Sequence, residues 1–255
     1  MTESGSLALV ELTRVRLAEV APAAVLVLPF GAVEQHGPHL PFGTDFLVVD
    51  TVARRAAEQA GREAPVVLAP TMAYGSSDHH LDVGGALSLS AEAFERSARD
   101  LFASAAVSGF RRVFVVNGHG GNDELLRVAA QAAAGGARLA VGGGSYWTLA
   151  FAELERILPP PALIPGHAGR FETSLALALG AGGTTAAPAR GGWAGENAKP
   201  YWHAERAAWQ RIDGYTDDPS EGSAEEGAAC LEAIVAAVGA CIVDFLRSTH
   251  GENER

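Results

Sequence analysis

Residues 24–45 form the stretch AVLVLPFGAVEQHGPHLPFGTD, in which an apolar run leads into a cluster of ionisable side chains. The apolar part, residues 24–28, predicts a buried strand. Glu34 and His36 follow two positions apart, so both side chains lie on one side of an extended segment. Asp45 comes where a helix is predicted to begin. Carboxylates and imidazoles at a strand end are what a divalent-metal site needs, and a polar turn with a capping aspartate is the alternative.

A second cluster follows another apolar run. Residues 113–116 predict a strand, and the chain continues as Asn117-Gly118-His119-Gly120-Gly121-Asn122. Glycine permits close backbone approach and positive φ, so this turn can wrap around an ion, a carbonyl oxygen or a phosphate. The turn has neither a Gly-Lys-Ser/Thr phosphate loop nor a Gly-x-Gly-x-x-Gly motif, which argues against a nucleotide.

A third cluster places His167 shortly before Glu172, at the start of an apolar helical pattern. A carboxylate in a first helical turn is common for local electrostatic reasons, so Glu172 alone is weak evidence. Beside His167 and the two other clusters, it becomes a candidate ligand. We expect the three segments to converge around a metal site at one rim of the fold.

Strand and helix patterns alternate along the chain, which indicates βαβ units and a mostly parallel sheet covered on both faces. Ser90 is positioned to cap the helix that follows it. We predict a single domain spanning residues 1–255. The predicted strands are residues 24–28, 66–68, 112–116 and 139–141, and the predicted helices are residues 46–60, 91–108, 123–134, 147–157, 172–179 and 225–247.

The composition limits the possible functions. A chain of 255 residues with 48% hydrophobic and 19% charged residues suits one α/β domain. The net charge of −11 argues against a nucleic-acid partner or an anionic membrane surface, and a neutral or cationic small substrate suits it better. We find no signal-peptide pattern and no apolar stretch of the ~18 residues that span a bilayer.

Cysteine usage indicates the compartment. The chain has two cysteines, Cys230 and Cys241, which would lie ~16 Å apart on one helix. That distance is too long for a disulfide between them. The sequence therefore predicts a reducing, cytoplasmic location.

Residues 71–89 form a long segment with little regular pattern, and it contains Asp78-His79-His80. Such loops often form the walls of an active site. We predict that His79 and His80 contact substrate rather than bind metal.

Together these residues resemble the creatininase (creatinine amidohydrolase) family. The resemblance rests on Glu34-Gln35-His36-Gly37-Pro38-His39-Leu40-Pro41 with Asp45, on residues 117–122, and on His167-Ala168-Gly169 with Glu172-Thr173-Ser174. It implies a three-layer αβα sandwich, hydrolysis of a C–N bond, two divalent metal ions per chain (Zn2+, Mn2+ or both) and a homohexamer. By that resemblance Glu34 and His119 bind one metal, His36 binds the other, and Asp45 bridges them.

The chain departs from creatininase itself at Gly121, where creatininase has a glutamate that binds the second metal. We expect Glu172 to replace that ligand. Trp147 is similar to one substrate-site tryptophan of the family, whereas the other has no counterpart in residues 162–165. The predicted substrate-binding residues are Tyr74, Ser77, His79, His80, Gly120, Gly121 and Trp147.

The resemblance leads to a mechanistic hypothesis. Two cations ~3.5–4 Å apart hold a bridging hydroxide that attacks an amide carbonyl. The leaving nitrogen needs a proton, for which His167 is the candidate general acid, and Glu172 is the second predicted catalytic residue. Candidate substrates are cyclic amides or lactams, formamides, and short modified peptides of cofactor or natural-product maturation. The alternatives from other classes are a metal-binding assembly protein without catalysis and a nucleotide-binding module.

Overall fold

The computed structural model describes residues 5–136, 139–182 and 207–249. Within them lies a five-stranded sheet with the strand order β1-β3-β2-β4-β5, in which every pair of neighbours is parallel. The strands are β1 (Leu7–Ala8), β2 (Val25–Phe30), β3 (Val66–Leu68), β4 (Arg112–Asn117) and β5 (Ala140–Ser145).

Helices cover both faces of this sheet, which confirms the predicted three-layer αβα sandwich. One face packs against α2 (Thr44–Ala60), α5 (Tyr146–Leu149), α6 (Phe151–Ile157), α7 (Arg170–Ala178) and α9 (Ala224–Thr249). The other face packs against α1 (Arg14–Val20), α3 (Ala91–Val107) and α4 (Asp123–Gly136). A short helix, α8 (Ala207–Arg211), precedes α9.

Strand β2 shows why the central strands are apolar throughout. Val25 and Val27 lie in the core cluster under α2 and α9, whereas Leu26 and Leu28 lie in the cluster under α3. Side chains alternate between the two faces of a strand, and here both faces are buried. A continuous apolar run is therefore required instead of an alternating one.

Strand β2 extends past its predicted end and includes Pro29, which lacks a backbone N–H. Its carbonyl accepts a hydrogen bond from the Met72 N–H at 3.0 Å, on the side where β3 has already ended at Leu68. The missing donor therefore falls outside the β3 pairing, and the ladder with β4 continues to Phe30 and Asn117.

The two ionisable clusters follow β2 and β4, which are adjacent in the sheet. The chain runs from β2 through α2 to β3 on one side, and then through α3 to β4 on the other side. The carboxyl ends of β2 and β4 thus form the point at which the strand order reverses. Parallel α/β sheets open a crevice at that point, which is where they bind ligands.

Helix α9 corrects one sequence-based expectation. By length and composition it could cross a membrane, because an 18-residue window has a mean hydropathy of 2.1. Half of that window is buried inside the fold, as in the core helix of a soluble protein. Its buried residues, among them Ile234, Val238 and Ile242, pack in the core cluster with α2 and β2. Cys230 and Cys241 lie on this helix, and both are free thiols.

The remaining differences are local. Residues 147–157, predicted as one helix, form α5 and α6 with a break at Ala150. The Ser90 side chain caps α3 as predicted, accepting a hydrogen bond from the Ala93 N–H. The elements β1, α1 and α8 were not predicted. Strand β1 has two residues, too few for a recognisable alternation.

Candidate metal centre

Five candidate ligands from three segments converge beyond the ends of β2 and β4. Glu34 and His36 lie in the loop after β2, and Asp45 lies in the first turn of α2, where the helix N-terminus favours a negative charge. His119 follows β4, and Glu172 lies in the first turn of α7. All five side chains are buried.

Asp45 divides its two carboxylate oxygens between two histidines. Its Oδ1 lies 3.0 Å from His36 Nε2, and its Oδ2 lies 3.1 Å from His119 Nδ1. The residues that flank this arrangement are Glu34, with Oε1 at 3.2 Å from His119 Nδ1, and Glu172, with Oε2 at 3.7 Å from His36 Nε2. One carboxylate therefore joins two neighbouring sets of potential ligand atoms.

The backbone determines which nitrogen each of these histidines turns toward the carboxylates. His36 Nδ1 lies 3.2 Å from the main-chain oxygen of Glu34, and His119 Nε2 lies 3.0 Å from that of Ser76. Main-chain oxygens can only accept, so these nitrogens carry the protons of the neutral rings. The unprotonated His36 Nε2 and His119 Nδ1 then face Asp45. Main-chain carbonyls that accept the other ring N–H orient metal-binding histidines in this way.

Glu34 supplies an independent indication of a cation. Its side chain is fully buried, and neither carboxylate oxygen has a hydrogen-bond partner in the part of the chain that the structure describes. Its Oε1 lies 3.2 Å from His119 Nδ1 and 3.3 Å from His80 Nε2, and a buried carboxylate is costly unless a metal ion or a protonated imidazole beside it offsets the charge. Glu34, His36 and Asp45 each offer a ligand atom within 4.8 Å of the other two. The residues present therefore fit a divalent metal.

In the metal-free state, protons take the place of that charge. Burial lowers the pKa of His36, but Asp45, Glu172 and Glu34 outweigh it and raise the pKa to about 10. Burial likewise opposes the shift at His119, where Glu34 and Asp45 raise the pKa well above its usual value. Burial raises the pKa of Glu34, but His119 and His80 outweigh it and hold the pKa well below its usual range.

Glu172 occupies the position at which the sequence predicts a replacement ligand. Its Oε2 accepts a hydrogen bond from the Ala168 N–H at 2.5 Å, and Ala168 has a φ of 49°, a costly value for alanine. Burial is the largest cause that raises the pKa of Glu172 to about 8; Asp45 adds to this, and His36 opposes it. The carboxyl is thus held toward His36 by a strained turn.

The structure explains the glycine at position 121. A Cβ on Gly121 would lie 2.3 Å from the Ser76 carbonyl oxygen and 2.5 Å from His119 Nε2. No side chain fits there without displacing His119, so a glutamate ligand at this position is incompatible with the observed packing. This crowding supports, but does not test, the assignment of Glu172.

His167, the predicted general acid, lies beside the cluster. Its Nε2 donates to the main-chain oxygen of Gln35 at 2.9 Å, which leaves Nδ1 unprotonated and 3.8 Å from Glu34 Oε1. Burial, with the charges of His36 and His80, lowers the pKa of His167 well below its usual value. The neutral ring presents a proton acceptor, so His167 would have to accept a proton before it could donate one.

A cavity of about 500 Å³ opens beside these residues. Five of the predicted substrate-binding residues line it: His79, His80, Gly120, Gly121 and Trp147. Tyr74 is about half exposed and is not among the lining residues. Ser77 is buried behind the wall, with its Oγ 3.4 Å from His119 Nε2. The substrate roles of all seven remain predictions.

Sequence reasoning missed two residues of this site. Trp209, on α8, lines the cavity with its ring centroid 4.4 Å from that of His80 and 5.1 Å from that of His167. It is distant in sequence from every motif, so no local pattern indicates it. Gln35 lies inside the first motif but has no charge, and its side chain contacts both His80 and His167.

Comparison with known proteins identifies the family. The family model for creatininase, described as creatinine amidohydrolase, matches residues 10–242. The chain belongs to the creatininase family. This confirms the resemblance seen in the sequence, and the family and the names of its members support a hydrolase.

Curated relatives include a peptidase and a creatinine amidohydrolase. The mycofactocin precursor peptide peptidase of Mycobacterium tuberculosis is 37% identical over 163 residues, which cover 60% of this chain and 58% of that protein. The creatinine amidohydrolase of Pseudomonas putida is 32% identical over 172 residues, covering 61% of this chain and 64% of that protein. Each match therefore spans less than two thirds of the relative's length.

Solved creatininase structures match over a larger share of the chain. A creatininase mutant in complex with creatine has a TM-score of 0.76 and 26% identity, covering 94% of this chain and 98% of that one. A manganese form and a zinc–zinc form each have a TM-score of 0.75, with 27% and 28% identity. The fold of the creatininase family therefore extends over nearly the whole chain.

Proposed function

We propose that this chain is a metal-dependent amidohydrolase that holds two divalent cations, zinc and/or manganese, and hydrolyses a C–N amide bond. The observation that carries the proposal is the division of the Asp45 oxygens between His36 and His119. A carboxylate in this position can serve two cations at once. The creatininase forms with manganese or with zinc are consistent with either metal.

Two sets of residues would hold these cations. Glu34, Asp45 and His119 form one set, and His36, Asp45 and Glu172 form the other. When bound, divalent cations polarise an amide carbonyl and lower the pKa of water to near neutrality. The chain itself supplies buried carboxylates that keep this charge away from bulk solvent.

His167 is placed to move protons. Its Nδ1 faces the carboxylate cluster as an acceptor, because its Nε2 is engaged by the Gln35 carbonyl. Such a ring can take the proton that an attacking water gives up and deliver it to the leaving nitrogen. The cavity walls at Trp147 and Trp209 would orient the substrate and exclude water.

A short peptide-like amide is the substrate class that we favour. Curated relatives at 37–43% identity are precursor peptide peptidases, whereas the creatinine amidohydrolase is 32% identical. The cavity of about 500 Å³ lies in the range of sites for drug-sized ligands, roughly 300–1,000 Å³, and is large for a single small ring. The net charge of −11 suits a neutral or cationic substrate.

A cyclic amide is the second candidate. It is favoured by the relative named creatinine amidohydrolase, because creatinine is a cyclic amide, and by the indole of Trp209 in the cavity wall. A planar ring would stack on this indole.

The test is a substrate panel on protein reconstituted with zinc or manganese. Short peptides, creatinine, small lactams and formamides are incubated with it, and the released amine is measured. Chelator-treated protein is the control, with activity restored by added metal. No amine from any compound, together with one metal or none per chain by elemental analysis, would instead support the non-catalytic alternative.

Further predictions concern the molecule as a whole. We propose a homohexamer in the cytoplasm, with no nucleic-acid or membrane partner. Size-exclusion chromatography with light scattering tests the hexamer, and a nucleic-acid binding assay tests the absence of that partner.

A further inference from the structure

Gln35 is a buried amide whose orientation is determined by two backbone groups. Its Oε1 accepts a hydrogen bond from the Gly37 N–H at 2.9 Å, and its Nε2 donates to the Gly214 carbonyl at 3.1 Å. A flipped amide would bring two donors together at Gly37 and two acceptors together at Gly214. The chemistry of the backbone therefore assigns the oxygen and the nitrogen of this side chain.

The second hydrogen of the Gln35 amide points at His80, whose Nδ1 lies 2.8 Å from Gln35 Nε2. His80 Nδ1 must accept this hydrogen, so the neutral ring carries its own proton on Nε2. His167 Nε2 is farther from the amide, at 3.2 Å, and it donates to the Gln35 main-chain oxygen instead. Gln35 thus bonds to both histidines: its side-chain amide donates to His80, and its main-chain oxygen accepts from His167.

His80 therefore differs from the other three histidines of the metal centre in whether the nitrogen that faces the carboxylates is protonated. In their neutral forms, His36, His119 and His167 each donate outward to a main-chain carbonyl and turn an unprotonated nitrogen toward the carboxylates. His80 turns an N–H toward them, with Nε2 at 3.3 Å from Glu34 Oε1 and at the wall of the cavity. Glu34, His80 and His167 could hold a metal by distance alone, but a protonated Nε2 cannot be a ligand.

We propose that Gln35 is a positioning residue that holds His80 in its Nε2–H tautomer, so that His80 donates a hydrogen bond to the oxygen or nitrogen of a substrate amide. The proposal rests on the proposed amidohydrolase function for the identity of the substrate group. The tautomer itself depends only on the hydrogen bonds of the protein. The two claims can therefore fail separately.

The first experiment measures the tautomer without any substrate. Full-length protein labelled with nitrogen-15 at histidine is examined by solid-state NMR in the metal-free and zinc-loaded states. The His80 signals are assigned by their loss in His80→Gln. We expect His80 to have a protonated Nε2 and an unprotonated Nδ1 in both states. A protonated Nδ1, or an Nε2 signal shifted by zinc coordination, would overturn the proposal whatever the activity.

The second experiment changes Gln35. In Gln35→Glu the side chain can only accept, so His80 is expected to move its proton to Nδ1. In Gln35→Met the bias is removed, and a mixture of both tautomers is expected. Gln131→Glu, an exposed amide on α4, is the matched control and should leave the His80 spectrum unchanged.

The kinetic consequence follows from the loss of one aligned donor. Gln35→Glu should lower kcat by roughly 100-fold, the usual effect of removing a single donor to the reacting group, whereas Gln35→Met, which keeps part of the Nε2–H form, should lower it only a few-fold, with the metal content unchanged in both. A variant that keeps the wild-type His80 tautomer overturns the proposal. A variant that switches the tautomer but retains kcat overturns the donor role. If no amide is hydrolysed by the wild type, the proposed function fails, and the tautomer result still decides the role of Gln35.

Discussion

Val238 on α9 and Glu34 beyond β2 are both fully buried, but their surroundings differ in kind. Val238 lies in an apolar cluster in which the removal of side chains from water stabilises the fold. Glu34 lies among carboxylates and imidazoles, and neither of its oxygens has a hydrogen bond among the described residues. The apolar core thus contributes stability by itself, whereas the metal centre needs a cation or protons to offset its buried charge.

The difference shows that the residues that stabilise the fold and the residues that would carry the chemistry lie in separate regions of the molecule. The apolar residues of β2 and β4 pack in the core, and the ionisable residues of the metal centre follow the carboxyl ends of these strands. Burial of these ionisable groups would be unfavourable without a cation or protons. A change in the core should therefore alter stability and leave the metal site intact. A change to a residue of the metal centre should first alter metal binding, and it should alter stability only through the loss of the bound cation or protons.

Asp45→Asn should have the largest effect, because Asp45 serves both ligand sets. We expect a loss of bound metal and a fall in kcat/KM of roughly 1,000-fold, since several kcal/mol of metal-derived stabilisation is lost. Elemental analysis and amine release measure the two effects. Asp50→Asn, on the same helix but partly exposed and paired with Arg54, is the control and should retain both. Unchanged metal content in Asp45→Asn would contradict the proposed bridging role.

Val238→Ala should affect only the core. We expect the free energy of unfolding to fall by about 2–3 kcal/mol, because two buried methyl groups are lost and a cavity is left. Val107→Ala removes the same atoms from a position that is 90% exposed and should change it by less than about 0.5 kcal/mol. Denaturant unfolding gives both values. Loss of metal from folded Val238→Ala would show that core and rim are not separate.

The metal-free protein should lose stability as the pH rises above about 6.5, the ordinary pKa of histidine. His36, with a pKa of about 10, and Glu172, with a pKa of about 8, bind protons more tightly in the folded than in the unfolded state. The stabilisation from such protons is present at lower pH and is lost as the pH rises through the folded pKa. The raised pKa of His119 acts in the same direction.

Metal binding should reverse this trend, because the cations replace the protons. Thermal unfolding between pH 6.5 and 8.5, with chelator and with zinc, tests the prediction. At pH 7 we also expect zinc uptake to release about two protons or more per chain, measured by calorimetry in buffers of different ionisation enthalpy. A chelated protein that becomes more stable across this pH range would disprove the assignment of the protons.

Trp209→Leu should have the smallest of these effects. Loss of one stacking wall costs about 0.5–1.5 kcal/mol, so KM should rise roughly 2- to 10-fold with kcat nearly unchanged. Phe151→Leu, an exposed aromatic on α6, serves as the control. A fall in kcat without a change in KM would mean that Trp209 acts on the histidines beneath it and not on the substrate.

Some features were accessible to local reasoning. Strands β2 and β4 are predictable because both are buried along their whole length and are therefore apolar throughout. The serine cap of α3 is predictable because it bonds to a residue three positions away. Strand β1, by contrast, was missed because it depends on distant partners. Leu7 and Ala8 are strand residues because they pair with Val67 and Leu68, and nothing in their own neighbourhood indicates it.

The amino-acid sequence by itself determined the parallel α/β architecture, the membership of the family and the kinds of groups that meet at the rim, because strand periodicity and ordered motifs are local properties. Only the tertiary structure decided how those groups face one another. Residues from remote segments determine which His80 nitrogen is protonated, how crowded Gly121 is and where Trp209 lies in the cavity wall. Hydrogen bonds have a direction and packing has a volume, and neither is encoded in the spacing of a motif.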